Sequence, residues 1–376
     1  MREYLLVLLV AAGTTYLLGG LARRFAARIG AVREIRDRDI NSVPIPRLGG
    51  LAVLGGVLAA FVVSTHLPFL GLLPELRGDV WALLLAGFVI AVVGAVDDVV
   101  DLDPITKLAG QVVAAGILVV SGIQLNWLPL PDGTTLSLSP AQSAIVSAVV
   151  IVAMANAVNF VDGLDGLAAG VVCVGAAAFF TYSYGLTVGL SLNRATTATL
   201  VTVVVAGACL GFLPHNFFPA RVFLGDSGAY LLGLMLAAST ISLTGWLDPS
   251  VTAATNVRQS LLPALLPLVL PIAVMALPFI DLLLAVIRRT RAGRSPFDAD
   301  KKHLHHRLHL ELGHSHPGAV LVMYLWAGVM SFGMVAVGLW TSWVTAAVVG
   351  VVVVVAILCT AVLPRRRKLP HPLRAG

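Results

Sequence analysis

The sequence has little charge for its length. Of its 376 residues only 12% are Asp, Glu, Lys or Arg, about half the share of an ordinary soluble protein, while 58% are hydrophobic. A water-soluble fold has no interior large enough to bury that much hydrocarbon, so lipid must surround most of the chain. The same composition excludes a disordered chain and a collagen-like repeat.

Cysteine is also scarce. The three cysteines lie inside apolar runs and have no paired spacing, which excludes a disulfide framework and gives no indication of a cysteine metal site. The net charge is +6, from 25 basic and 19 acidic side chains. In a soluble protein such an excess can indicate a nucleic-acid partner. Here its distribution indicates membrane topology instead, and no nucleic-acid partner is predicted.

Long apolar runs are what the sequence has in abundance. A membrane-spanning helix needs about 20 mostly apolar residues. The first run continues past a small-residue stretch to Arg23 and Arg24, so we interpret it as a signal anchor rather than a cleaved signal peptide. The predicted fold class is an all-α polytopic membrane protein with about eleven spans, at 3–22, 48–66, 80–97, 107–122, 141–158, 164–184, 195–213, 225–244, 260–287, 318–340 and 341–363.

The Lys and Arg residues are distributed unevenly between alternate loops. Twenty-one of the 25 fall on one side of the predicted spans, mostly in 23–47, 288–317 and 364–376. Because cytoplasmic loops carry the excess of positive charge, the N-terminus is predicted outside and the C-terminus inside. The chain then forms one membrane domain over 1–376, in which 288–317 is a cytoplasmic loop rich in His and Arg and 364–376 is a basic cytoplasmic tail.

Two segments differ from plain spanning helices. Residues 123–138 alternate apolar and polar side chains around a Pro-Asp-Gly turn, which predicts a short external β-hairpin. The ninth span contains four prolines within sixteen residues. Proline removes a backbone donor and kinks a helix, and lipid cannot satisfy the freed carbonyls. That span is therefore predicted to be bent or split and shielded by its neighbours.

The acidic residues on the inner side are clustered at the ends of spans. Asp97, Asp98 and Asp101 close the third span, and Lys107 opens the fourth. On a helix all three carboxylates can share one face. Carboxylates at such short distances repel each other unless a cation lies among them. The alternative is a solvated helix end, although such an end rarely packs acidic residues against an apolar run.

A second polar group enters the membrane with helical spacing. Asn156, Asn159 and Asp162 recur every three residues, and Asp165 follows at the same interval. Polar groups at membrane depth usually face a cavity with a function. The alternative is that these side chains form hydrogen bonds between helices and serve only packing.

The third group joins the seventh and eighth spans. It begins with Asn216 and ends with Asp226 and Ser227 between two glycines, where a helix is predicted to start. Asp226 and Ser227 could be simple N-terminal caps. A helix N-terminus is equally a natural binding site for an anion such as phosphate.

The fourth group is the loop 288–317, which combines arginine, lysine and histidine. Three interpretations remain for it: a zinc site, a basic surface against anionic lipid headgroups, or a site for a phosphate-bearing ligand. Its central residues are His303, His305, His306 and Arg307.

All four groups are predicted on the same side of the membrane. Carboxylate and amide oxygens suit Mg²⁺, which usually binds through one or two carboxylates together with substrate phosphates. Nearby cations suit a diphosphate, so the pattern indicates phosphoryl transfer that involves a lipid. A lipid or ion transporter is the alternative from another class, but its charges would lie near the midplane. Here Asp281 is the only charged residue predicted away from the ends of the spans. A structural membrane scaffold is a third interpretation, but it would not need four polar motifs on one side.

These motifs resemble those of the polyprenyl-phosphate N-acetylhexosamine-1-phosphate transferases. The resemblance rests on Asp97-Asp98 with Lys107, the stretch from Asn156 to Leu167, the segment from Asn216 to Asp226, and the His-Leu-His-His of the inner loop. It covers nearly the whole chain. It implies transfer of a sugar-1-phosphate from a UDP-sugar to polyprenyl phosphate with Mg²⁺ (or Mn²⁺), releasing UMP, in a bacterial cell membrane with a cytoplasmic active site. A homodimer is compatible with it.

The resemblance also implies roles for individual residues. Asp226 resembles the principal Mg²⁺ ligand, and Asn216 resembles a residue at the metal and the diphosphate. Lys107 resembles a phosphate-binding lysine, while Asp97 and Asp98 resemble the pair proposed as catalytic base or as acids beside the metal. Asp162 is placed with these catalytic residues. The residues implied in substrate binding are Arg47, Asn156, Asn159, Asp165, Asn216, His303, His305, His306 and Arg307.

The first inner loop helps to choose a branch of this family. It reads Val-Pro-Ile-Pro-Arg-Leu-Gly-Gly over 43–50, which is similar to the N-acetylglucosamine-1-phosphate branch. The branch that transfers phospho-N-acetylmuramoyl-pentapeptide typically has Pro-Thr-Met-Gly-Gly there and three consecutive histidines later. Both differences favour N-acetylglucosamine-1-phosphate, with the pentapeptide substrate as the alternative.

Overall fold

The computed structural model describes residues 1–31, 45–130, 135–189, 195–246, 266, 269–270, 290, 316–340 and 342–362. This described part is almost entirely helical, in agreement with the predicted class. A short 3₁₀ turn, Leu70–Leu72, precedes the third helix. In chain order the helices are α1 Arg2–Arg28, α2 Gly49–Ser64, α3 Pro74–Val100, α4 Pro104–Val120, α5 Pro140–Val161, α6 Leu167–Gly189, α7 Thr196–Asn216, α8 Gly225–Trp246, α9 His316–Leu339 and α10 Trp343–Val362.

Each of these helices coincides with one of the predicted apolar segments. Within the described residues, eight are long and apolar enough to cross a membrane, while α2 and α4 are shorter apolar helices. The predicted ninth span, 260–287, lies almost wholly outside the described residues, as does its predicted bend. The loop 288–317 and the tail 364–376 lie there too, apart from single residues of the loop. Helical membrane architecture is therefore confirmed, and the total of eleven spans stays a prediction.

Two short strands occur where the hairpin was predicted. Strand β1, Trp127–Pro129, pairs antiparallel with β2, Thr135–Ser137, and Leu128 is opposite Leu136. The turn residues 131–134 lie outside the described part. The side of the membrane on which the pair lies stays a prediction.

The start of α4 is fixed by local sequence. Pro104 occupies the first helical position, where its missing N–H costs no hydrogen bond. The side chain of Asp103 caps the helix by accepting hydrogen bonds from the backbone N–H groups of Ile105 and Thr106, at 3.0 and 3.1 Å. This start leaves Lys107 in the first turn, facing the end of α3.

Helix α8 lies at the centre of the bundle. It is buried all round and packs against α2, α3, α5 and α7, and α7 is nearly as buried. Helix α10, in contrast, packs mainly on α9 and exposes most of its apolar surface. The central position of α8 is expected for a helix that is apolar on every face.

Glycines allow α2 and α3 to approach the first turn of α8. A side chain on Gly50 of α2 would collide with the backbone of Gly228. A side chain on Gly94 of α3 would meet Ser227 at 2.5 Å. Close backbone approach at small residues is the usual way in which membrane helices pack, and here it brings several helix ends to one point.

The bundle has two ends, which we call the site end and the far end. At the site end α3, α5 and α7 finish while α4, α6 and α8 begin. Helix α9 also begins there, since the ring of its first residue, His316, packs against Phe218 with a centroid distance of 4.8 Å. The alternation of helix directions thus brings the first three polar groups of the sequence to the same end.

Candidate active site

The N-terminus of α8 is capped by a side chain from another helix. Asp98 of α3, whose carboxylate is completely buried, accepts from the backbone N–H groups of Asp226 and Ser227 at 3.0 and 3.2 Å. The Ser227 hydroxyl donates to the same carboxylate at 3.0 Å. A helix leaves its first N–H groups without partners inside the helix, and a carboxylate satisfies them strongly. Asp98 therefore ties α3 to α8.

Asp162 is a second carboxylate at this helix start. It follows the last residue of α5, and the backbone N–H of Gly225 donates to it. Burial, together with the neighbouring carboxylates of Asp226 and Asp98, raises the pKa of Asp162 to about 7. Gly225 itself has a φ of 72°, and a side chain there would collide with the Asp98 carboxylate.

These contacts decide between the two interpretations of the third sequence group. The first N–H groups of α8 are taken up by Asp98 and Asp162, so the N-terminus is capped rather than open to a phosphate. The cap, however, does not come from Asp226 or Ser227, which are the residues that are capped. The sequence could not indicate this because the donors and the acceptor are 128 and 129 residues apart.

Asp97 is buried and holds the lysine. Its Oδ1 forms an ion pair with Lys107 Nζ at 2.8 Å and accepts from the backbone N–H of Leu102 at 2.9 Å. Its Oδ2 is buried and has no hydrogen-bond partner among the described residues. The carboxylate of Asp226 lies within hydrogen-bonding distance of that of Asp97. Two acceptors side by side require a shared proton or a cation.

The expectation that the three acids of this motif share a helix face needs correction. Helix α3 ends at Val100, and Asp101 adopts a left-handed conformation with a φ of 57°. Its side chain is 95% exposed, whereas that of Asp97 is 1% exposed. Lys107 still reaches both, since its Nζ is 3.7 Å from Asp101. The cation among these carboxylates in the structure is thus a lysine of the chain.

Asp226 is held from the opposite side by α5. The amide of Asn159 donates to its Oδ1 at 2.5 Å. Asp226 therefore lies between Asn159 on α5 and Asp97 on α3. The predicted metal ligand and two predicted site residues meet at one point, although 67 residues separate Asn159 from Asp226.

The polar stripe of α5 has a separate partner for each of its members. Asn156 pairs with Gln111 of α4, while Asn159 pairs with Asp226. Asp165, which is buried, accepts from the backbone N–H of Ala220 at 3.0 Å. The interhelical hydrogen bonds that we left open as an alternative thus describe Asn156, while Asp165 holds the connection between α7 and α8.

Asn216 lies at the end of α7, 1% exposed. Its amide N–H donates to the carbonyl of Val222 at 3.0 Å. Its Oδ1 is buried and has no hydrogen-bond partner in the described part of the chain. No described hydrogen bond joins it to Asp226. Its role as a metal ligand therefore stays a prediction. The buried Oδ1 is compatible with that role.

Arg47 reaches the site from the segment before α2. Its Nη1 lies 3.9 Å from Oδ1 of Asp98, and its side chain is 25% exposed. The loop is fixed by backbone hydrogen bonds to the segment before α8, from Phe223 to Pro46, from Gly49 to Phe223 and from Gly50 to Leu224. The Pro-Arg-Leu-Gly-Gly motif therefore positions a cation beside the carboxylates.

Two residues of the site were missed by the sequence analysis. Gln111 is 1% exposed and pairs with Asn156. Tyr230, also buried, lies one turn after Asp226 on α8 and close to the carboxylate of Asp97. A signal was present for both, because each is a polar residue four positions after a predicted site residue, Lys107 or Asp226, and thus on the same helix face.

The four predicted residues of the inner loop, His303, His305, His306 and Arg307, lie outside the described residues. Their predicted roles in binding the sugar nucleotide stay predictions.

The described residues are compatible with Mg²⁺ but do not form a complete cage. No group of three or more His, Cys, Asp or Glu side chains in the described part is arranged to hold a metal ion. Mg²⁺ usually takes one or two protein carboxylates and fills its other positions with water and substrate phosphates. Asp97 and Asp226 supply such a pair, and the buried Oδ2 of Asp97, which has no donor, is an oxygen that a cation would satisfy.

The sequence of this chain is similar to the sequences of known proteins. The profile of Glycosyl transferase family 4 matches residues 80–244, which run from within α3 to within α8 and contain most of the site. The decaprenyl-phosphate N-acetylglucosaminephosphotransferase of Mycolicibacterium smegmatis is 44% identical to this chain, over 98% of the chain and 90% of the relative. The chain belongs to glycosyltransferase family 4. The predicted resemblance is confirmed.

Other members of the family are more distant. The probable undecaprenyl-phosphate N-acetylglucosaminyl 1-phosphate transferase of Bacillus subtilis is 32% identical over 91% of the chain and 87% of the relative. The phospho-N-acetylmuramoyl-pentapeptide-transferase of Mycolicibacterium vanbaalenii is 31% identical, but over only 64% of the chain and 77% of the relative. Of these three relatives, the two named for N-acetylglucosamine phosphate transfer match this chain over 91% or more of its length, and the third matches over 64%.

Proposed function

We propose that this protein transfers N-acetylglucosamine-1-phosphate from UDP-N-acetylglucosamine to polyprenyl phosphate at the cytoplasmic face of the membrane, and releases UMP. The observation that carries the proposal is similarity over 98% of the chain to a relative named for N-acetylglucosamine phosphate transfer to decaprenyl phosphate. The cluster of Asp97, Asp226 and Lys107 at one end of an apolar bundle supports it, because such a reaction joins a charged nucleotide to a lipid at a membrane surface.

The reaction exchanges one phosphorus–oxygen bond for another. An oxygen of the lipid phosphate attacks the phosphorus that carries the sugar, and the bond from that phosphorus to UMP breaks. UMP leaves with the bridging oxygen. The second pKa of a phosphate monoester is about 6, so the acceptor is largely a dianion at neutral pH. A general base is therefore helpful but not required. Asp97 would orient the acceptor, whereas the completely buried carboxylate of Asp98 is engaged in capping α8.

The positive groups of the site serve to neutralise the phosphates. Lys107 is 25% exposed, so its Nζ can leave the exposed Asp101 and contact a substrate oxygen while keeping Asp97. Arg47 is exposed to the same extent. Fixed cations aimed at the developing charge stabilise the transition state without reorganisation. This supports a role of Lys107 at the reacting phosphates.

Asp97 and Asp226 are the residues that would hold Mg²⁺, with Asn216 as the predicted further ligand. When bound, the ion would neutralise the diphosphate and its leaving group. Mn²⁺ prefers the same oxygen ligands and is the alternative. Asn159 would hold Asp226 in place through its hydrogen bond.

A covalent route is the alternative mechanism. An aspartate would attack the sugar-bearing phosphorus first, release UMP and form a phospho-sugar enzyme, which the lipid phosphate would then resolve. Exchange of labelled UMP into UDP-N-acetylglucosamine without lipid acceptor would support this route. Complete absence of exchange would leave direct attack.

The finer topology is part of the proposal. We assign eleven spans, with the N-terminus outside, the C-terminus and the site end in the cytoplasm, and the β1–β2 pair outside. The support is the distribution of 21 of the 25 Lys and Arg residues on one side of the predicted spans. A bacterial cell membrane is supported by the bacterial origin of the relatives.

The proposal is tested with purified protein, UDP-N-acetylglucosamine, polyprenyl phosphate and MgCl₂. We expect a lipid-linked sugar product and UMP in equal amounts, and loss of both on chelation. UDP-N-acetylmuramoyl-pentapeptide is the competing donor in the same assay, and preference for it would overturn the proposed substrate. In the Asp226→Ala variant we expect a loss of about 100-fold or more, since a group that stabilises the transition-state charge is removed.

A further inference from the structure

An amide pair connects α4 and α5 directly beside the site. Gln111 lies four residues after Lys107 on α4, and Asn156 lies three residues before Asn159 on α5. Residues three or four apart lie on the same helix face. Each member of the pair is therefore about one turn, or about 5 Å, from a residue that holds a carboxylate of the site.

The pair uses nearly all the hydrogen-bonding capacity of Asn156. Its amide nitrogen donates to Oε1 of Gln111 at 2.6 Å and to the carbonyl of Val152 at 2.8 Å. Its amide oxygen accepts from Nε2 of Gln111 at 3.4 Å. An amide nitrogen has two hydrogens to donate, and both are engaged. A direct contact between that nitrogen and a substrate would require one of these bonds to break.

Helix α4 is held against α3 by the ion pair of Lys107 with Asp97 and by the close packing of Gly110 on Val93. Toward α5, the only side-chain hydrogen bonds among the described residues are those between Gln111 and Asn156. Lipid is as apolar as the helix side chains, so burial alone gives little preference for one rotation of α4 against α5 over another. The amide pair provides that preference.

We propose that Gln111 and Asn156 are positioning residues for the transfer reaction. The pair fixes the rotation of α4 against α5, so that Lys107 is directed to Asp97 while Asn159 is directed to Asp226. The predicted role of Asn156 in binding the substrate is replaced by this indirect role. The inference rests on the proposed function, since it assigns the pair to the same active site.

The pair can be exchanged as well as removed. In Gln111→Ala and in Asn156→Ala the hydrogen bonds are lost. In the double variant Gln111→Asn with Asn156→Gln, the two amides change places and the summed length of the two side chains is kept. The matched control is Thr197→Val, which removes an interhelical hydrogen bond of 2.6 Å to Asp79 at the far end.

We expect both alanine variants to lower kcat about tenfold and to need about tenfold more MgCl₂ for half-maximal rate, as is typical when a partner of a ligating group is lost. The KM for UDP-N-acetylglucosamine is expected to stay within about twofold, because neither variant removes a group that binds this substrate in the ground state. The exchanged double variant should recover most of the loss, because two residues in contact are coupled. Thr197→Val should lower the melting temperature and leave kcat and the MgCl₂ requirement unchanged.

Three results would overturn the inference. A raised KM in Asn156→Ala with unchanged kinetics in Gln111→Ala would show that Asn156 binds substrate directly. Alanine variants that only melt earlier, as Thr197→Val does, would show that the pair serves packing alone. Failure of the exchanged double variant to exceed the single variants Gln111→Asn and Asn156→Gln would show that the two amides do not act together.

Failure of the proposed function would be recognised separately. In that case the wild-type protein forms no product from UDP-N-acetylglucosamine, whatever the variants do. The pair is then tested by the rise in melting temperature that MgCl₂ produces, which we expect to be smaller in Gln111→Ala than in the wild type. An equal rise in both, or no rise in either, would overturn the positioning role.

Discussion

The two ends of the bundle differ in how deeply their acidic residues are buried and in which groups hold them. At the site end Asp97 and Asp98 are buried, and they are held by a lysine, an arginine and several backbone N–H groups. At the far end Asp79 is only partly buried and accepts one described hydrogen bond, from the hydroxyl of Thr197 at 2.6 Å. Both ends belong to the same helices, so the helical framework alone does not account for the difference.

The far end is organised mainly by apolar contacts. A separate cluster there joins Trp127, Phe179, Tyr182 and Leu243 to neighbouring helices. Glu3, near the start of α1, accepts from the backbone N–H groups of Phe69 and Leu70 without entering a charged network. Burying a carboxylate costs several kcal/mol unless charges and hydrogen bonds compensate it. Within the described part of the chain, the acidic residues that are 8% exposed or less, Asp97, Asp98 and Asp165, all lie at the site end, which indicates that buried carboxylates there have a function.

Among variants that test the difference between the two ends, we expect the largest effect from removing Lys107, the cation at the site end. Lys107→Ala leaves the buried carboxylate of Asp97 without its ion-pair partner, which costs about 3–5 kcal/mol in a buried pair. Since Lys107 is 25% exposed, we expect the lower part of that range or less. Activity should fall about 100-fold or more, because a fixed cation is lost at the reacting phosphates. Initial rates and melting curves in detergent measure the two effects.

The control removes the same charge at the other end. Arg77 lies near the start of α3, and its guanidinium makes a 3.4 Å hydrogen bond to the carbonyl of Thr65. Arg77→Ala should leave the rate unchanged. An equal loss of activity in both variants would mean that overall charge, rather than the site, determines the rate.

An intermediate effect is expected where α3 caps α8. Asp98→Ala removes the acceptor for three hydrogen bonds at the first turn of α8. Hydrogen bonds to a charged group contribute about 1.5–3 kcal/mol each, so the free energy of unfolding should fall by a few kcal/mol. Asp98→Asn keeps one acceptor oxygen and should lose less. Thermal or denaturant unfolding measures the order of the variants.

Asp101 is the matched control for Asp98, because it belongs to the same motif but its side chain is 95% exposed. Asp101→Asn keeps a residue type that tolerates the left-handed conformation of this position, so it should change the stability by about 0.5 kcal/mol or less, as is usual for surface positions. Equal destabilisation by Asp98→Asn and Asp101→Asn would contradict the cap that the structure shows.

The smallest effect is expected at the far end itself. Thr197→Val removes the only described hydrogen bond to Asp79. Side-chain hydrogen bonds between membrane helices contribute about 0.6 kcal/mol on average, so the melting temperature should fall slightly with no change in rate. A loss of activity in this variant would show that the far end is coupled to the site, and that the two ends are less independent than their contacts indicate.

Much of this organisation could be predicted from the sequence. The helices follow the apolar segments, because a chain in lipid must satisfy its backbone within each segment. Asp97, Lys107, Asn159, Asp162 and Asp226 were expected on one side of the membrane, and the structure brings them together. Their partners were not predictable, since the hydrogen bond from Asn159 to Asp226 spans 67 residues and that from the Asp226 backbone to Asp98 spans 128.

Hydropathy and residue spacing are local properties, and they were sufficient to predict the membrane class, the positions of the helices and the types of residue that carry the chemistry. The contact partner of each polar residue depends on the folded structure. The folded structure places Asp98 at the cap of α8, Asp97 on Lys107 and Asn156 on Gln111. From the sequence alone, nothing distinguishes the roles of the adjacent Asp97 and Asp98. A polar side chain takes its role from the donors, acceptors and charges that other helices bring within about 3 Å of it, and hydropathy and spacing do not show these partners.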